Sequence, residues 1–380
     1  MQPHVVVIGA GIVGASCAYH LSGRGARVTV LERASAPASG ATGKSAAGIR
    51  HQFTHPENVK MSLHSARVFE ALEALTGVDA GYRKVGYLFL LPSDLVEPWG
   101  EQREMQRRLG APVEGLSATE TAERFPYLSL DGVAGSSFGL NDGVLDPHAI
   151  TLGYLKKARE QGTQVKLETE VLELTHKSDT WHVKTFEGTV KADAVINAAG
   201  AFAGEIGTLA NLDIPVKPYR RNIYTTAPVP DFPHPTPLII DMATGVYLRS
   251  EGERFIFGLS NENEPAGDNQ AVDWGWLEHT LDLALPRFPF LEQAGLDRKA
   301  CWAGLYAITP DHLPILGQMK DAPGFYNACG FSGHGVQHAP ATGLILAEEI
   351  LDGEAHSFDI TDFRYERFSE KRERLEANIV

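Results

Sequence analysis

The sequence has few cysteines, an excess of acidic residues and no long apolar run. Its three cysteines, Cys17, Cys301 and Cys329, form neither a CxxC metal pair nor a disulfide framework, which fits a reducing compartment. With 34 basic and 48 acidic side chains the net charge is −14, which argues against nucleic acid or an anionic membrane as a main partner. No apolar segment approaches the ~18 residues that a membrane span needs.

Several catalytic and targeting motifs are also missing. There is no HExxH motif and no recognisable Ser-His-Asp arrangement, so hydrolase and metalloprotease functions have no support and no metal site is expected. The first predicted strand begins at His4, which leaves no room for a signal or transit peptide. The expected localisation is therefore cytoplasmic.

The most informative stretch covers residues 4–33. An apolar run predicts a buried strand, the turn GAGIVG follows at once, and a helical pattern leads to a second strand that ends at Glu32. Gly9 allows the tight turn, Gly11 lets a pyrophosphate approach the main chain, and Gly14 lets helix and strand pack closely. Glu32 stands where an acidic side chain binds the ribose diol of a dinucleotide. The complete unit predicts a Rossmann-type dinucleotide site; the alternative is a glycine-rich turn in another α/β protein.

A run of small residues, Ala34 to Gly48, follows this unit. Small side chains would let the main chain lie against a large flat ligand, and Thr42, Lys44 and Ser45 could meet phosphate or ring oxygens. The alternative is a flexible linker. A later buried strand also ends in small residues, at 198–200, which suits the edge of the same nucleotide site because only a bare main chain can come that close.

A second unit of strand, glycine-rich loop and helix occurs late in the chain. The strand is predicted at 325–329, and the loop 330–340 leads into a helix that continues to Leu351. Two helix N-termini that face one ligand suit FAD, since the N1–C2=O edge of a reduced flavin carries negative charge. No second GxGxxG motif follows a predicted strand, so NAD(P)H is not expected and electrons should come from an organic substrate bound at the flavin.

Three other segments have clear local patterns. Residues 82–91 and 165–175 include apolar runs that are each predicted as one strand. Residues 117–125 are predicted as a short helix that Ser117 caps, with Glu120 at the third helical position.

Five of the motifs together resemble one known family. They are the turn 9–14 with Glu32, the loop 34–48, and the segments 197–200, 309–311 and 330–335. They resemble the D-amino-acid-oxidase-like flavoproteins, whose members include sarcosine oxidase, glycine oxidase and dye-linked proline dehydrogenase, and the resemblance covers nearly the whole chain. The segments 48–53, 85–91 and 302–306 are most similar to the β subunits of dye-linked proline dehydrogenase and heterotetrameric sarcosine oxidase.

The resemblance implies both an activity and an architecture. The activity is oxidation of the C–N bond of a small amino acid by hydride transfer to flavin N5, which gives an imine that water hydrolyses. The architecture is α/β combined with α+β: a Rossmann-type, glutathione-reductase-like FAD-binding domain with an inserted substrate domain on a large mixed or antiparallel sheet. We expect residues 1–80, 141–215 and 300–380 to form the first domain, and residues 81–140 and 216–299 to form the second.

Three positions depart from the family pattern. Gly304 stands where monomeric sarcosine oxidase has the cysteine that binds its flavin, so FAD is expected to be non-covalent. Gln337 stands where that enzyme has a lysine that contacts the substrate carboxylate. Ile256 aligns with its oxygen-activating lysine, which favours a dehydrogenase that passes electrons to a dye, a quinone or a partner subunit. Partner subunits or a homo-oligomer are compatible with this expectation.

Five side chains are candidates for the reacting centre. Arg50 could bind a carboxylate through its planar guanidinium, and His51 could orient the substrate or accept its ammonium proton. Tyr247 and Arg249 share one strand face by period two and would form a second carboxylate anchor. His334 would position the flavin. The alternatives are a structural ion pair for Arg50, a buried loop histidine for His51 and an exposed strand face for the pair on the strand.

The predicted FAD-binding residues come from the glycine turn, the small-residue loop, the later strand ends and the late glycine loop. They are Gly9, Gly11, Ile12, Val13, Gly14, Glu32, Arg33, Thr42, Lys44, Ser45, Ala46, Ala47, Gly48, Val171, Ala198, Ala199, Gly200, Gly304, Gly330, Ser332, Gly333, His334, Gly335, Val336 and Gln337. Two other functions stay open. One is oxidation of a 2-hydroxy acid with His51 as the base, and the other is a flavin-binding assembly or scaffold protein without turnover.

Overall fold

The computed structural model describes residues 2–378. Its strands are, in chain order, β1 (His4–Ile8), β2 (Arg27–Leu31), β3 (Gly48–Ile49), β4 (Tyr87–Leu91), β5 (Val113–Ser117), β6 (Gly135–Gly139), β7 (Gly143–Val144), β8 (Gln164–Lys166), β9 (Val171–Lys177), β10 (Thr180–Thr185), β11 (Gly188–Ala192), β12 (Ala194–Asn197), β13 (Lys217–Thr225), β14 (Leu238–Asp241), β15 (Tyr247–Glu251), β16 (Arg254–Gly258), β17 (Trp302–Ile308), β18 (Ile315–Gln318) and β19 (Phe325–Cys329).

Its α-helices are α1 (Ile12–Gly23), α2 (Pro56–Thr76), α3 (Val96–Arg108), α4 (Ala118–Arg124), α5 (Pro147–Glu160), α6 (Ala203–Leu209), α7 (Trp274–Arg287) and α8 (Gly335–Leu351). Short 3₁₀ turns lie at Gly200–Phe202, Pro289–Gln293, Thr361–Phe363 and Tyr365–Arg367. None of the helices found between residues 2 and 378 is both long and apolar enough to cross a membrane.

A six-stranded sheet in the order β18-β19-β12-β1-β2-β8 carries the first part of the chain. Its strands are parallel, except that β18 runs antiparallel to β19. Val5 and Val7 pack against helices α1, α5 and α8, whereas Val6 and Ile8 pack towards the small sheet of β9, β10 and β11. Both faces of β1 are therefore covered, which explains why its sequence is apolar throughout.

An eight-stranded sheet in the order β17-β13-β16-β15-β14-β4-β6-β5 forms the second large element. Neighbouring strands are antiparallel, except that β14 and β4 are parallel. Leu248, Phe255 and Phe257 from this sheet pack with Ala284 of α7 in one apolar cluster. The predicted combination of an α/β layer with a large mixed sheet is confirmed.

The strand β17 belongs to the eight-stranded sheet, but the strands that follow it in the chain belong to the six-stranded sheet. It lies within the segment 300–380, which the sequence assigns to the FAD-binding domain, yet it pairs with β13 in the eight-stranded sheet. The flanking strands β18 and β19 belong to the six-stranded sheet. The proposed division into two domains stays a prediction.

Local backbone geometry changes two predicted strands and confirms one predicted helix. Residues 165–175 form parts of β8 and β9, because Glu168 between them takes a positive φ of 51°. Only Tyr87–Leu91 of the segment 82–91 is a strand, and it begins after Gly86, which has φ of 89°. The helix α4 has the predicted capping box, in which Ser117 Oγ accepts from the main-chain NH of Glu120 and the Glu120 carboxylate accepts from the NH of Ser117.

Candidate functional site

The glycine turn between β1 and α1 brings three chain segments close together. Gly9 has φ of 108°, and a Cβ atom there would lie 2.4 Å from the carbonyl oxygen of Ala198. A Cβ atom on Gly14 would lie 2.0 Å from the carbonyl oxygen of Gly9. Gly11 is the N-cap residue of α1, and a Cβ atom there would lie 3.1 Å from Thr42 Oγ1. The turn therefore requires glycine, as expected where a phosphate group approaches the main chain.

Glu32 directly follows β2 and supports the same turn. Its carboxylate accepts hydrogen bonds from the main-chain NH of Ala10 (2.7 Å) and of Ala34 (2.9 Å). The side chain also lines a large cavity between the turn and the small-residue loop. A carboxylate oxygen has more than one lone pair, so Glu32 can still accept from the hydroxyl groups of a ribose.

That cavity has a volume of about 690 Å³, within the usual range for small-molecule sites. It is lined by most of the predicted FAD-binding residues: Gly9, Gly11, Ile12, Val13, Glu32, Arg33, Thr42, Lys44, Ser45, Ala46, Val171, Ala198, Ala199, Gly200, Gly304, Ser332, Gly333, Gly335 and Val336. The sequence places these residues in six separate segments, and the fold brings them to one surface.

A smaller cavity of about 80 Å³ adjoins the large one, since Ser45, Ala46, Tyr247 and Tyr306 line both. Five further predicted residues line only the small cavity: Ala47, Gly48, Arg50, His334 and Gln337. Its remaining wall includes Tyr87, Leu238 and Ile240 from the eight-stranded sheet. The small cavity therefore lies between that sheet and the N-terminal end of α8.

Four predicted residues line neither cavity. Gly14 and Gly330 support their turns, and a Cβ atom on Gly330 would lie 2.4 Å from Thr309 Cγ2. His51 and Arg249 are buried, with exposed fractions of 1% and 5%.

The N-terminal ends of two helices face the large cavity. Ile12 and Val13 at the start of α1 line it, as do Gly335 and Val336 at the start of α8. The free main-chain NH groups and the positive end of the dipole make each of these ends suitable for a negative group. The close-packed glycine turn, Glu32 and the two helix ends together fit a long dinucleotide such as FAD.

The guanidinium of Arg50 is engaged by the protein itself. It donates from Nη1 to the carbonyl oxygen of Gln52 (2.5 Å) and from Nη2 to His334 Nε2 (3.2 Å) and the carbonyl oxygen of Asn378. Its Cζ atom also lies 4.1 Å from the ring centroid of Phe53. Arg50 therefore reaches the small cavity with its guanidinium held by main-chain oxygens and His334. The alternative of a structural ion pair is not found among the described residues.

His51 is held by an acidic partner away from both cavities. Its Nδ1 lies 2.5 Å from Asp142 Oδ1, and its main-chain NH donates to the same oxygen (3.0 Å). Gln52 Nε2 donates to the other oxygen of Asp142 (3.0 Å). The structure thus places His51 in a buried network that fixes the loop after β3, and not at the cavity surface.

Tyr247 and Arg249 do share one face of β15, but only Tyr247 reaches the cavities. Arg249 donates from Nε to the carbonyl oxygen of Ala46 (2.7 Å) and from Nη1 to that of Ser250 (2.7 Å), and it forms an ion pair with Glu251 (2.5 Å). Arg249 therefore stabilises the contact between the small-residue loop and the eight-stranded sheet.

His334 immediately precedes α8 and lines the small cavity. Burial and the nearby charge of Arg50 hold the pKa of His334 well below its ordinary value, so the ring is neutral near pH 7. Its Nδ1 atom is buried and has no hydrogen-bond partner within residues 2–378.

Arg221 is the functional side chain that sequence reasoning missed. It lies on β13, opposite Gly304 of β17, and lines the large cavity. Its Nη1 donates to the carbonyl oxygen of Arg220 (3.0 Å), and its buried Nε has no partner in the described part of the chain. The nearby carboxylate of Glu264 is bound by Arg220 at 3.0 Å and is not ion-paired with Arg221. The available signal was the Arg220-Arg221 pair, because neighbouring strand residues point to opposite faces.

Two phenol groups accompany Arg221. The guanidinium carbon lies 5.3 Å from the ring centroid of Tyr306, and the charge of Arg221 acts on both Tyr306 and Tyr247. Burial raises the pKa of each phenol, so both keep their protons near neutral pH. For neither hydroxyl does the structure give a hydrogen bond within residues 2–378. Two hydroxyl donors therefore stand where the two cavities adjoin, and the cation of Arg221 lies beside them on the wall of the large cavity.

The cysteines contribute nothing to the cavity walls. Cys17, Cys301 and Cys329 are all free, and none of them is among the lining residues of either cavity. No group of three or more potential metal ligands occurs among the described residues.

Comparisons with known proteins agree with this geometry. Residues 4–349 match the DAO family, described as FAD dependent oxidoreductase. The chain is 33% identical to FAD-dependent oxidoreductase domain-containing protein 1 of Xenopus laevis, over 99% of this chain and 84% of that protein. It is 29% identical to mitochondrial dimethylglycine dehydrogenase of Mus musculus, over 97% of this chain but only 44% of that protein.

Two solved structures extend the comparison to the fold. L-proline dehydrogenase from P. horikoshii superposes with a TM-score of 0.90 and 30% identity, covering 98% of this chain and 99% of that one. Glycine oxidase from Geobacillus kaustophilus gives a TM-score of 0.83 and 26% identity, covering 96% and 98%. The chain belongs to the DAO family of FAD-dependent oxidoreductases.

Proposed function

We propose that this flavoprotein oxidises the C–N bond of a small amino acid, of the secondary or N-methylated kind. The observation that carries the proposal is the guanidinium of Arg221, which lines the large cavity and has no ion-pair partner among the described residues. It lies beside the phenols of Tyr247 and Tyr306, which line both cavities. FAD supplies the hydride acceptor, flavin N5, and the product imine is then hydrolysed by water. The names of the relatives, which include sarcosine, dimethylglycine and proline dehydrogenases, support the same class of donor.

Arg221 is the proposed partner of the substrate carboxylate. A planar guanidinium can donate two parallel hydrogen bonds to a carboxylate, and the two phenols can donate one each. Arg50 and Arg249, the anchors that the sequence suggests, already donate to main-chain oxygens. Binding an anion could also give a partner to the buried Nε of Arg221, which has none among the described residues.

The small cavity is proposed to hold the reacting carbon and its amine. Its volume of about 80 Å³ favours a small substrate, and Leu238 and Ile240 provide apolar contacts. No acidic side chain lines it in the described part of the chain, and the cation Arg50 does. A positively charged ammonium would therefore be unpaired there, so the amine should bind in its neutral form, which hydride transfer also requires.

A dehydrogenase remains our proposal for the use of the electrons. Ile256, which stands at the position of an oxygen-activating lysine, is fully buried in the sheet and lines neither cavity. Under the proposal the charge of Arg221 is balanced by the substrate carboxylate, so this cation does not favour superoxide at the flavin. The acceptor would be a dye, a quinone or a partner subunit, and a cytoplasmic location likewise stays a prediction.

Anaerobic flavin reduction by a panel of substrates tests the proposal. Sarcosine, dimethylglycine, proline and glycine are compared with lactate and 2-hydroxyglutarate, and bleaching of the yellow flavin is recorded. We expect bleaching by at least one amine and by neither hydroxy acid. Bleaching by hydroxy acids alone would establish the alternative donor class, and no bleaching by any compound would favour a non-catalytic flavoprotein. Admission of air then tests the acceptor, since rapid reoxidation within a fraction of a second would show an oxidase.

Substitution Arg221→Met tests the carboxylate partner. We expect FAD to stay bound while kcat/KM falls roughly 10²- to 10³-fold. Truncating one partner of a buried hydrogen-bonded charge pair costs about 2–5 kcal/mol, and each ~1.4 kcal/mol is tenfold in rate. Lys217→Met is the matched control, since Lys217 is an exposed cation on the same strand. Equal kcat/KM values for the two variants would exclude Arg221 as the anchor.

A further inference from the structure

The last described residues of the chain return to the loop that carries Arg50. Glu376 and Asn378 are almost fully buried, with exposed fractions of 1% and 2%. The main-chain NH of Glu376 donates to the carbonyl oxygen of Asp311 (3.1 Å). Residues 372–378, which we call the tail, contain no helix or strand, so their side chains and these contacts hold them in place.

Glu376 anchors the tail to the start of α2. Its Oε1 accepts from the main-chain NH and the hydroxyl of Thr54 (2.9 and 2.7 Å), and its Oε2 accepts from the NH of His55 (3.1 Å) and from Asn58 Nδ2 (3.0 Å). His55 is the N-cap residue of α2, so the carboxylate lies at the positive end of this helix. The buried carboxylate is thus compensated by several donors without any cationic partner in residues 2–378.

Asn378 connects the anchored tail to Arg50. Its carbonyl oxygen accepts from Arg50 Nη2, and its own Nδ2 donates to the carbonyl oxygen of Gln52 (3.3 Å) and to Gln102 Oε1 (3.0 Å). The carbonyl oxygen of Gln52 in turn accepts from Arg50 Nη1. Two main-chain oxygens, one supplied by the tail, therefore fix the plane of the guanidinium.

The oriented guanidinium of Arg50 donates a hydrogen bond to His334. Its Nη2 lies 3.2 Å from His334 Nε2, and a guanidinium is always a donor, so Nε2 must be the acceptor. A neutral imidazole that accepts at Nε2 carries its proton on Nδ1. That Nδ1 is buried without a partner, and His334 lines the small cavity at the start of α8. Among the described residues, the Nδ1–H group of His334 is therefore an oriented donor without a partner at the edge of the small cavity.

We propose that the tail is a positioning element of the active site: Glu376 anchors it, Asn378 holds Arg50, and Arg50 keeps the proton of His334 on Nδ1. In this arrangement Glu376 and Asn378 are positioning residues, and His334 carries its Nδ1–H group at the start of α8, where the small cavity adjoins the large one. The proposal depends on FAD binding only, and it does not require an amino acid to be the substrate.

Substitution Glu376→Gln tests the tail in the FAD-loaded protein. The amide keeps the shape of the side chain, but its NH2 group faces donors and cannot accept from them, so the tail loses part of its anchor. We expect FAD to stay bound, its visible absorbance bands to shift, and its preference for the reduced state to fall at least threefold. A threefold change corresponds to a two-electron midpoint potential lower by about 15 mV. Neither measurement requires a substrate, so failure here is distinguishable from failure of the proposed activity.

Glu373→Gln is the matched control, because Glu373 is an exposed acidic residue of the same tail. Identical spectra and potentials for the two glutamine variants would overturn the proposal. Arg50→Lys gives a second test if Glu376→Gln does not fold, since a lysine cannot contact two main-chain oxygens and His334 together. We expect Arg50→Lys to lower the potential as well, and the double variant to add nothing further. An unchanged potential in Arg50→Lys would contradict the proposal. Additive effects of Glu376→Gln and Arg50→Lys would also contradict it, because the tail is proposed to act on His334 only through Arg50.

Discussion

At the scale of single residues, the surroundings of three arginines decide their roles. Arg50 and Arg249 each donate to two main-chain oxygens, and Arg249 also forms an ion pair with Glu251. Arg221 retains a buried Nε without a partner among the described residues. A charged group that the protein does not neutralise internally is costly unless a ligand supplies the opposite charge. The substrate carboxylate is the proposed source of that charge.

The shifted pKa values of three side chains that line the small cavity lead to a prediction about the pH dependence of the activity. Burial first, then the charge of Arg50, holds the pKa of His334 well below its ordinary value, and burial raises the pKa of Tyr247 and of Tyr306. None of these three groups titrates near neutral pH. If only the neutral amine binds, kcat/KM should rise tenfold per pH unit below the pKa of the substrate amine.

The measurement is kcat/KM between pH 6.5 and 9 for two substrates whose amine pKa values differ. We expect the rising limb of the profile to move with the pKa of the substrate. A limb at the same pH for both substrates would instead report an enzyme group and would exclude selection of the neutral amine.

At the scale of elements, close contact between α1 and α8 brings two parts of the cofactor site together. A Cβ atom on Gly343 of α8 would lie 2.3 Å from Ser16 Oγ and 2.7 Å from His20 Cδ2 of α1. Both helices begin at the large cavity. The small residue at their crossing therefore helps to bring two helix N-termini to one ligand.

Substitution Gly343→Ala should push these helices apart. Overpacking of this kind costs about 1–3 kcal/mol of the free energy of unfolding, although alanine is the better helix former. We also expect weaker FAD binding, because both helix ends contact the cavity. Thermal unfolding and FAD titration measure the two effects. Gly267→Ala is the control, since a Cβ atom there meets nothing within 4 Å; equal stability of both variants would contradict the role of this crossing.

At the scale of the whole molecule, buried histidines should make the fold sensitive to acid. Burial, with the neighbouring His64, lowers the pKa of His20 to about 4. Burial, with the charge of Arg50, lowers the pKa of His338 to about 3, and His334 is lowered likewise. In the unfolded chain all three titrate near 6.5, so below that pH the unfolded state binds more protons than the native state.

The contribution of these histidines to the free energy of unfolding is therefore fully present above pH 6.5 and is lost as the pH falls towards 4. Each of these histidines contributes up to about 1.4 kcal/mol per pH unit in this window. Thermal unfolding at pH 7.5, 6 and 5 with excess FAD measures the loss. The variant His20→Gln should lose less stability between pH 7.5 and 5, whereas His148→Gln, a substitution at an exposed site on α5, should behave like the unchanged protein. A pH-independent unfolding temperature would refute this account.

The amino-acid sequence by itself determined those features of this protein that depend only on residues close together in the chain. The glycine turn, the acid after β2, the small-residue loop and the second helix start are each legible within about fifteen residues, because turn geometry and helix ends are set by local sterics and periodicity. These features predicted the fold class and the cofactor, and both are confirmed. The broken strand at 165–175 shows the limit of this approach, because a positive φ at a glutamate leaves no sign in an apolar pattern.

Only the tertiary structure decided which polar side chains remain available at the cavities. Arg50 is bound by Asn378, 328 positions away, and Arg249 by Ala46, 203 positions away. Arg221 keeps an Nε without a partner in residues 2–378, since the nearby carboxylate of Glu264 is bound by Arg220. Whether a guanidinium is saturated depends on acceptors that distant segments bring to it, and no local pattern encodes those acceptors. The sequence therefore determined the fold class and the cofactor, and the packing of distant segments decided which arginine keeps a donor available for the proposed substrate carboxylate.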